Sequence, residues 1–119
     1  MTRPFPIRGE VWLAGLDPVV GSEQGKTRPV VVVQNDVANQ YSPVVIVAAV
    51  TSVANPKAYP TEVQVRGGEA GMKKSSVILL NQIRTIDKTR LIARWGKLAP
   101  ETLRRVDRAL TISLGLIEL

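Results

Sequence analysis

Apolar residues recur along the chain in short blocks whose spacing favours strands, until residue 100, where the period changes. Gly9 to Leu16 alternates between apolar and polar positions, as a half-buried strand does, whereas Val30 to Val33 is an unbroken β-branched run suited to a strand covered on both faces. Val44 to Val50 is another such run, Glu62 to Val65 alternates, Val77 to Leu80 is short and apolar, and Leu91 to Leu98 completes the series. Asn35 to Ser42 is expected to form a helical turn, while Asn55-Pro-Lys-Ala-Tyr-Pro and Gly67-Gly-Glu-Ala-Gly have loop chemistry. Beyond Pro100, the residues Leu103, Val106, Leu110, Leu114 and Ile117 recur at helical spacing, with Arg104, Arg105 and Arg108 between them as a solvated face. Pro100 fits a first helical turn and Glu101 complements its positive end. Five or six strands followed by a helix predict an α+β fold. Neither loop is long enough to divide the chain, so residues 1–119 are expected to form one domain.

Charge narrows the partners. Sixteen basic against ten acidic side chains give a formal charge of +6, which favours a polyanion. The chain has no cysteine, hence no disulfide, no thiolate nucleophile and no thiolate metal ligand, and no histidine, so any catalysis must proceed without imidazole. Asp17, Glu23, Asp36 and Glu62 are scattered rather than paired, and neither a metal nor another cofactor is expected. No stretch approaches the roughly 20 apolar residues of a spanning helix, and Met1-Thr-Arg-Pro-Phe-Pro lacks the apolar core of a signal peptide. A cytoplasmic protein with no membrane partner is expected. Trp12 and Trp95 lie inside apolar strand patterns and read as core or interface anchors, and Lys73 and Lys74 as solvated turn charges, with contact to phosphates as their second reading.

The candidate chemistry centres on Gly21-Ser-Glu-Gln-Gly-Lys-Thr-Arg-Pro, which runs directly into Val30. Pro29 fixes its own φ and biases Arg28 toward an extended conformation, so a permanently charged, planar fork stands at a strand start. Such a fork suits a phosphate, although residue type alone favours a solvated strand-end arginine. Thr51 ends the Val44 to Val50 run, where a rigid strand would deliver its hydroxyl to the surface. Ser22, Glu23 and Gln24 offer polar groups of the kind that read unpaired base edges, Lys26 is a general phosphate attractor, and Tyr41 and Tyr59 are the main candidates for base stacking.

Three strings in order, Arg8-Gly-Glu-Val-Trp-Leu-Ala, the Gly21 to Pro29 loop, and Asn81-Gln-Ile-Arg-Thr-Ile-Asp-Lys, resemble the MazF-type toxins, also called the PemK family, over nearly the whole chain. The resemblance implies a small SH3-like β-barrel of five to seven strands with a C-terminal α-helix, and a homodimer. It implies a toxin that cleaves single-stranded RNA or mRNA at short motifs, often containing ACA, without metal, leaving 2′,3′-cyclic phosphate and 5′-hydroxyl ends. That is also the outcome of direct attack by the ribose 2′-hydroxyl. Arg28 matches the arginine of the family's Thr-Arg-Pro motif and Thr51 the threonine after its Ala-Ala-aliphatic motif, the two residues that carry cleavage. The Ser22 to Gln24 loop, Asn35 and Gln82 are placed by the resemblance around the RNA groove. Asn81 departs from the glutamate that many members carry there, so the base preference of those members does not transfer directly. A cognate acidic, MazE-like antitoxin is implied as the partner that occludes the groove. Two other functions fit the same features: a non-catalytic toxin of the same fold acting on DNA gyrase, as in CcdB, and an RNA-binding module without turnover. The CcdB toxins end in Trp-Gly-Ile, unlike Leu116-Ile-Glu-Leu here, and lack the Thr27-Arg28-Pro29 loop.

Overall fold

A computed structural model describes residues 5–16, 26–52 and 59–118. Its strands are β1 (Glu10–Gly15), β2 (Thr27–Val32), β3 (Val44–Thr51), β4 (Glu62–Val65), β5 (Ser76–Asp87) and β6 (Leu91–Lys97), with helices α1 (Asp36–Tyr41) and α2 (Pro100–Ser113). The strands form one antiparallel six-stranded sheet in the order β4-β5-β3-β2-β1-β6. A sheet followed by a C-terminal helix is the expected α+β arrangement.

The continuous valine run of β2 has a direct explanation in packing. Val31 joins a core on one face with Val11, Ala48, Ile78, Leu80 and, from α2, Val106 and Ala109. Val30 and Val32 join a second core on the other face with Ala14, Val45, Val47 and Ile86. A central strand covered on both sides requires apolar side chains at every step. α2 seals the first face, with Leu103 and Leu110 packed beside its buried Val106 and Ala109.

The sheet curls until its two ends meet. The short turn Glu69–Gly71 that follows β4 packs against β6 at the opposite edge of the sheet. The approach is close enough that a Cβ on Gly71 would lie 2.5 Å from the Trp95 carbonyl oxygen, and one on Gly96 2.7 Å from the Ala70 carbonyl carbon. Only glycine permits two backbones to come this near.

Three differences from the sequence reading have physical causes. β5 continues past Leu80 to Asp87, because Ile83 and Ile86 turn inward while the polar residues between them stay exposed. β2 begins at Thr27, so Arg28 lies within the strand, paired with Ala14, rather than at its start. α2 ends at Ser113, leaving Leu114 and Ile117 exposed beyond it. Gly115, at φ +72°, reverses the chain there: Gly115 N–H donates to the Ile112 carbonyl and Leu116 N–H to the Thr111 carbonyl, a Schellman closure that overrides the helical spacing.

Candidate active site

β2 and β3 pair through Val30↔Ala49, Val31↔Ala48 and Val32↔Val47. The ladder ends beside Pro29, which has no N–H to extend it. Carried two steps further, the same register sets Arg28 against Thr51, and both side chains line one open cleft of about 250 Å³. Lys73, Lys74 and Trp95 line it as well, together with the buried side chains of Val50 and Met72.

The cleft is positive. Arg28, Lys73 and Lys74 are exposed, and none has a carboxylate partner among the described residues. Their charge is therefore available to an anion, and the rigid strands that carry Arg28 and Thr51 fix where it would sit. A larger depression of about 600 Å³ between β4 and the start of α2 is less suited to that task. There Glu69 and Glu101 stand among Arg66 and Arg105, so the charges offset one another. Among the described residues no three of His, Cys, Asp and Glu gather in a way that could hold a metal ion.

The remaining candidates are dispersed. Ser22, Glu23 and Gln24 lie outside the described residues. Lys26 is exposed at the foot of their loop, where its carbonyl accepts the Leu16 N–H at 3.1 Å and closes the β1–β2 hairpin. Arg84 and Arg90 brace that same foot by donating to the carbonyls of Leu16 and Gly15. Asn35 caps α1, its side-chain oxygen accepting the Ala38 N–H at 2.8 Å. Tyr59 is exposed just before β4, and Tyr41 is exposed at the end of α1. Asn81 and Gln82 are exposed on β5 where its register with β3 slips, since Ala48 pairs with Ile83 but Ala49 with Leu79. None of Asn35, Tyr59, Asn81 and Gln82 lines the Arg28–Thr51 cleft.

Lys73, Lys74 and Trp95 are members of the cleft that sequence reasoning assigned elsewhere. Trp12 does pack as an anchor, against the second core, but Trp95 is 37 % exposed. Its strand is held from below by Glu10, which is fully buried. The Glu10 carboxylate accepts the Ile7 N–H at 2.7 Å, the Trp12 indole N–H at 3.1 Å and the Arg94 Nε–H at 2.5 Å. A buried carboxylate with several charge-assisted donors is a rigid node, and it adjoins Trp95 through Arg94. The acidic position in Arg8-Gly-Glu was the available signal, but sequence gives no sign that its partner lies on the last strand.

Comparison with known proteins agrees with this architecture. The family model described as PemK-like, MazF-like toxin of type II toxin-antitoxin system matches residues 7–114. The chain is 51% identical over 111 residues to Endoribonuclease EndoA of Bacillus subtilis, covering 93% of this chain and 96% of that one. It resembles a chain of a MazE-MazF crystal structure from Deinococcus radiodurans, with a TM-score of 0.78 and 26% identity over 97% of this chain and 100% of that one. An endoribonuclease solved with its cognate antitoxin from a mycobacterial species shares the fold, with a TM-score of 0.76 and 23% identity over 96% of this chain and 99% of that one.

Proposed function

We infer, because this chain belongs to the PemK-like, MazF-like toxin family of type II toxin-antitoxin systems, that it is a toxin endoribonuclease whose active site is the Arg28–Thr51 cleft. The observation that carries the assignment of the site is the convergence in one cleft of Arg28, Thr51 and two lysines that have no carboxylate partner among the described residues. The reading takes residues 1–119 as one toxin domain acting in the cytoplasm on single-stranded RNA.

The cleft suits a reaction in which the RNA supplies its own nucleophile. The ribose 2′-oxygen attacks the adjacent phosphorus, a 2′-O–P bond forms, the P–O5′ bond breaks, and the products carry a 2′,3′-cyclic phosphate and a 5′-hydroxyl. The proton lost from the 2′-hydroxyl passes to solvent or a neighbouring base, and the departing 5′-oxygen gains one. Negative charge builds on the phosphoryl oxygens in the transition state. Two guanidinium N–H groups of Arg28 can meet those oxygens in parallel, and the Thr51 hydroxyl supplies a further donor. A guanidinium presents several N–H donors in a fixed plane, so the role of Arg28 is electrostatic, donating to the charge that develops on the phosphoryl oxygens. Such a preorganised donor is worth about 3–4 kcal/mol of barrier. Lys73 and Lys74 extend the positive field along the bound strand. DNA lacks the 2′-hydroxyl and should survive.

The protein partner in this reading is an acidic antitoxin segment that folds over the cleft, its carboxylates facing the same cations that attract RNA. Homodimerisation is part of the reading, supported by exposed apolar side chains such as Val37, Tyr41, Leu114 and Leu116. Incubation of the purified protein with a long transcript in excess EDTA tests the activity. Discrete fragments with 5′-hydroxyl ends are expected, and recovery of intact strands alone would overturn the nuclease assignment.

A further inference from the structure

We propose that Trp95 is the stacking platform for a base of the RNA strand held at the Arg28–Thr51 cleft. The proposal rests on the nuclease reading of that cleft and adds a base-binding residue to it.

Three features of β6 point to this role. First, the ladder between β1 and β6 slips at Trp95: Val11 pairs with Gly96 and Trp12 with Arg94, so Trp95 is the extra residue of a bulge. A bulge takes a side chain out of the regular alternation and re-aims it, and here the re-aimed side chain lines the cleft. Second, the backbone around it is immobilised from both sides. Arg94 is tied to buried Glu10, and the Gly71 backbone lies against the Trp95 carbonyl too closely to admit a Cβ. The indole is thus mounted on a fixed base, which lowers the entropy lost when a ligand packs on it. Third, its surroundings match a nucleotide. Trp95 is 37 % exposed and shares a cleft of about 250 Å³ with Arg28, Lys73 and Lys74, so an aromatic residue stands beside cations suited to phosphates.

That combination of one aromatic face and a positive track is how single strands are commonly held, because every base has a π face while the backbone supplies the charge. Tyr59 and Tyr41, the aromatic candidates by sequence, lie outside the cleft lining. The base that meets Trp95 therefore adjoins the scissile phosphate, and stacking there orients the ribose for attack.

The chain contains two tryptophans, so fluorescence isolates the site. The full-length protein is titrated with 2′-O-methylated single-stranded oligonucleotides, one containing ACA and one of oligouridine, which can bind but cannot be cut. Binding is expected to quench the indole emission of wild type and of Trp12→Phe, and to leave the emission of Trp95→Phe, which reports only Trp12, unchanged. Trp95→Ala should weaken binding by about 10-fold or more, with Trp95→Phe recovering most of the loss. Circular dichroism checks the fold of each variant, and the Trp95→Phe readout decides the matter if Trp95→Ala fails to fold. Quenching that persists in Trp95→Phe, wild-type affinity in a folded Trp95→Ala, or no binding by wild type would each overturn the proposal. Quenching by the oligonucleotides without cleavage of an unmodified transcript would instead overturn the nuclease reading and leave the stacking site standing.

Discussion

Gly71→Ala probes the seam that joins the two ends of the sheet and carries the Trp95 side of the cleft. Two costs are expected. Alanine at φ +81° is strained by about 1–2 kcal/mol in the left-handed region. Its Cβ would also stand 2.5 Å from the Trp95 carbonyl oxygen, and since ordinary contact begins near 3.4 Å, one of two hydrogen-bonded backbone segments must retreat by about 0.9 Å. Overpacking of this kind costs about 1–3 kcal/mol, for a total of roughly 2–5 kcal/mol. Gly68→Ala is the matched control, because Gly68 sits in the same turn at φ +98° with nothing within 4 Å of the added Cβ. It should lose only the conformational part, about 1–2 kcal/mol. An unfolding entropy of about 2.1 cal/mol/K per residue puts 1 kcal/mol near 4 °C for a chain of 119 residues. Thermal unfolding followed by circular dichroism should therefore show Tm falling by roughly 8–20 °C for Gly71→Ala and roughly 4–8 °C for Gly68→Ala. Equal falls in the two variants would refute the account of the seam as a backbone contact.

Other perturbations test separate parts of the structure. Glu10→Gln removes the charge that Arg94 meets while keeping the shape, and should destabilise by about 1–3 kcal/mol in urea unfolding, below the usual cost of breaking a buried pair because Arg94 is half exposed. Unchanged stability would show that the Glu10 node is not a support of β6. Arg28→Lys keeps the charge but loses the parallel donors, so kcat should fall by about 10-fold or more with fold and stability retained. Wild-type turnover in Arg28→Lys would reduce Arg28 to a point charge. The double variant Lys73→Ala/Lys74→Ala should lower the slope of log affinity against log salt by about 0.7 per lost phosphate contact, and an unchanged slope would remove these lysines from the strand's path. Asp87 accepts the Thr89 backbone N–H at 2.9 Å and the Thr89 hydroxyl at 2.7 Å, which hold its carboxyl below 3.8, with Arg90 adding a smaller pull. Its folded value is depressed, so its contribution to stability is fully present above about 3.8 and is lost as pH falls through the lower folded value. In Thr89→Val the midpoint measured by NMR should move up toward 3.8, and a midpoint that stays put would refute the side-chain part of this assignment.

Much of the fold was legible because the sheet's inner strand is covered twice. Val30 to Val33 has no polar position, and that pattern leaves few options besides a central strand. The long β5 was less legible, since Leu80, Asn81 and Gln82 interrupt its alternation where the register slips. The end of α2 was misread for a related reason: Leu114 and Ile117 keep helical spacing, but Gly115 closes the helix by hydrogen bonds that spacing does not reveal. In the site, Arg28 and Thr51 could be singled out from local chemistry and from the family resemblance, because each lies on a strand with a strong pattern. Trp95 could not, and Lys73 and Lys74 only as a second reading, since all three reach the cleft when the chain after β4 folds back onto β6. A bulge in β6 and two glycines, Gly71 against the Trp95 backbone and Gly96 against the Ala70 backbone, produce that approach, and neither device leaves a periodic trace in the sequence.

The most direct test of the central claim, that Arg28 and Thr51 together form the cleaving site, is single-turnover cleavage of one mapped transcript by wild type, Arg28→Ala and Thr51→Ala in EDTA, with uncleavable oligonucleotide binding measured in parallel. The account requires cuts at one short motif by wild type, and a loss of at least about 100-fold in each variant while both remain folded and still bind. Cleavage by either variant at the wild-type rate and the same motif would contradict it.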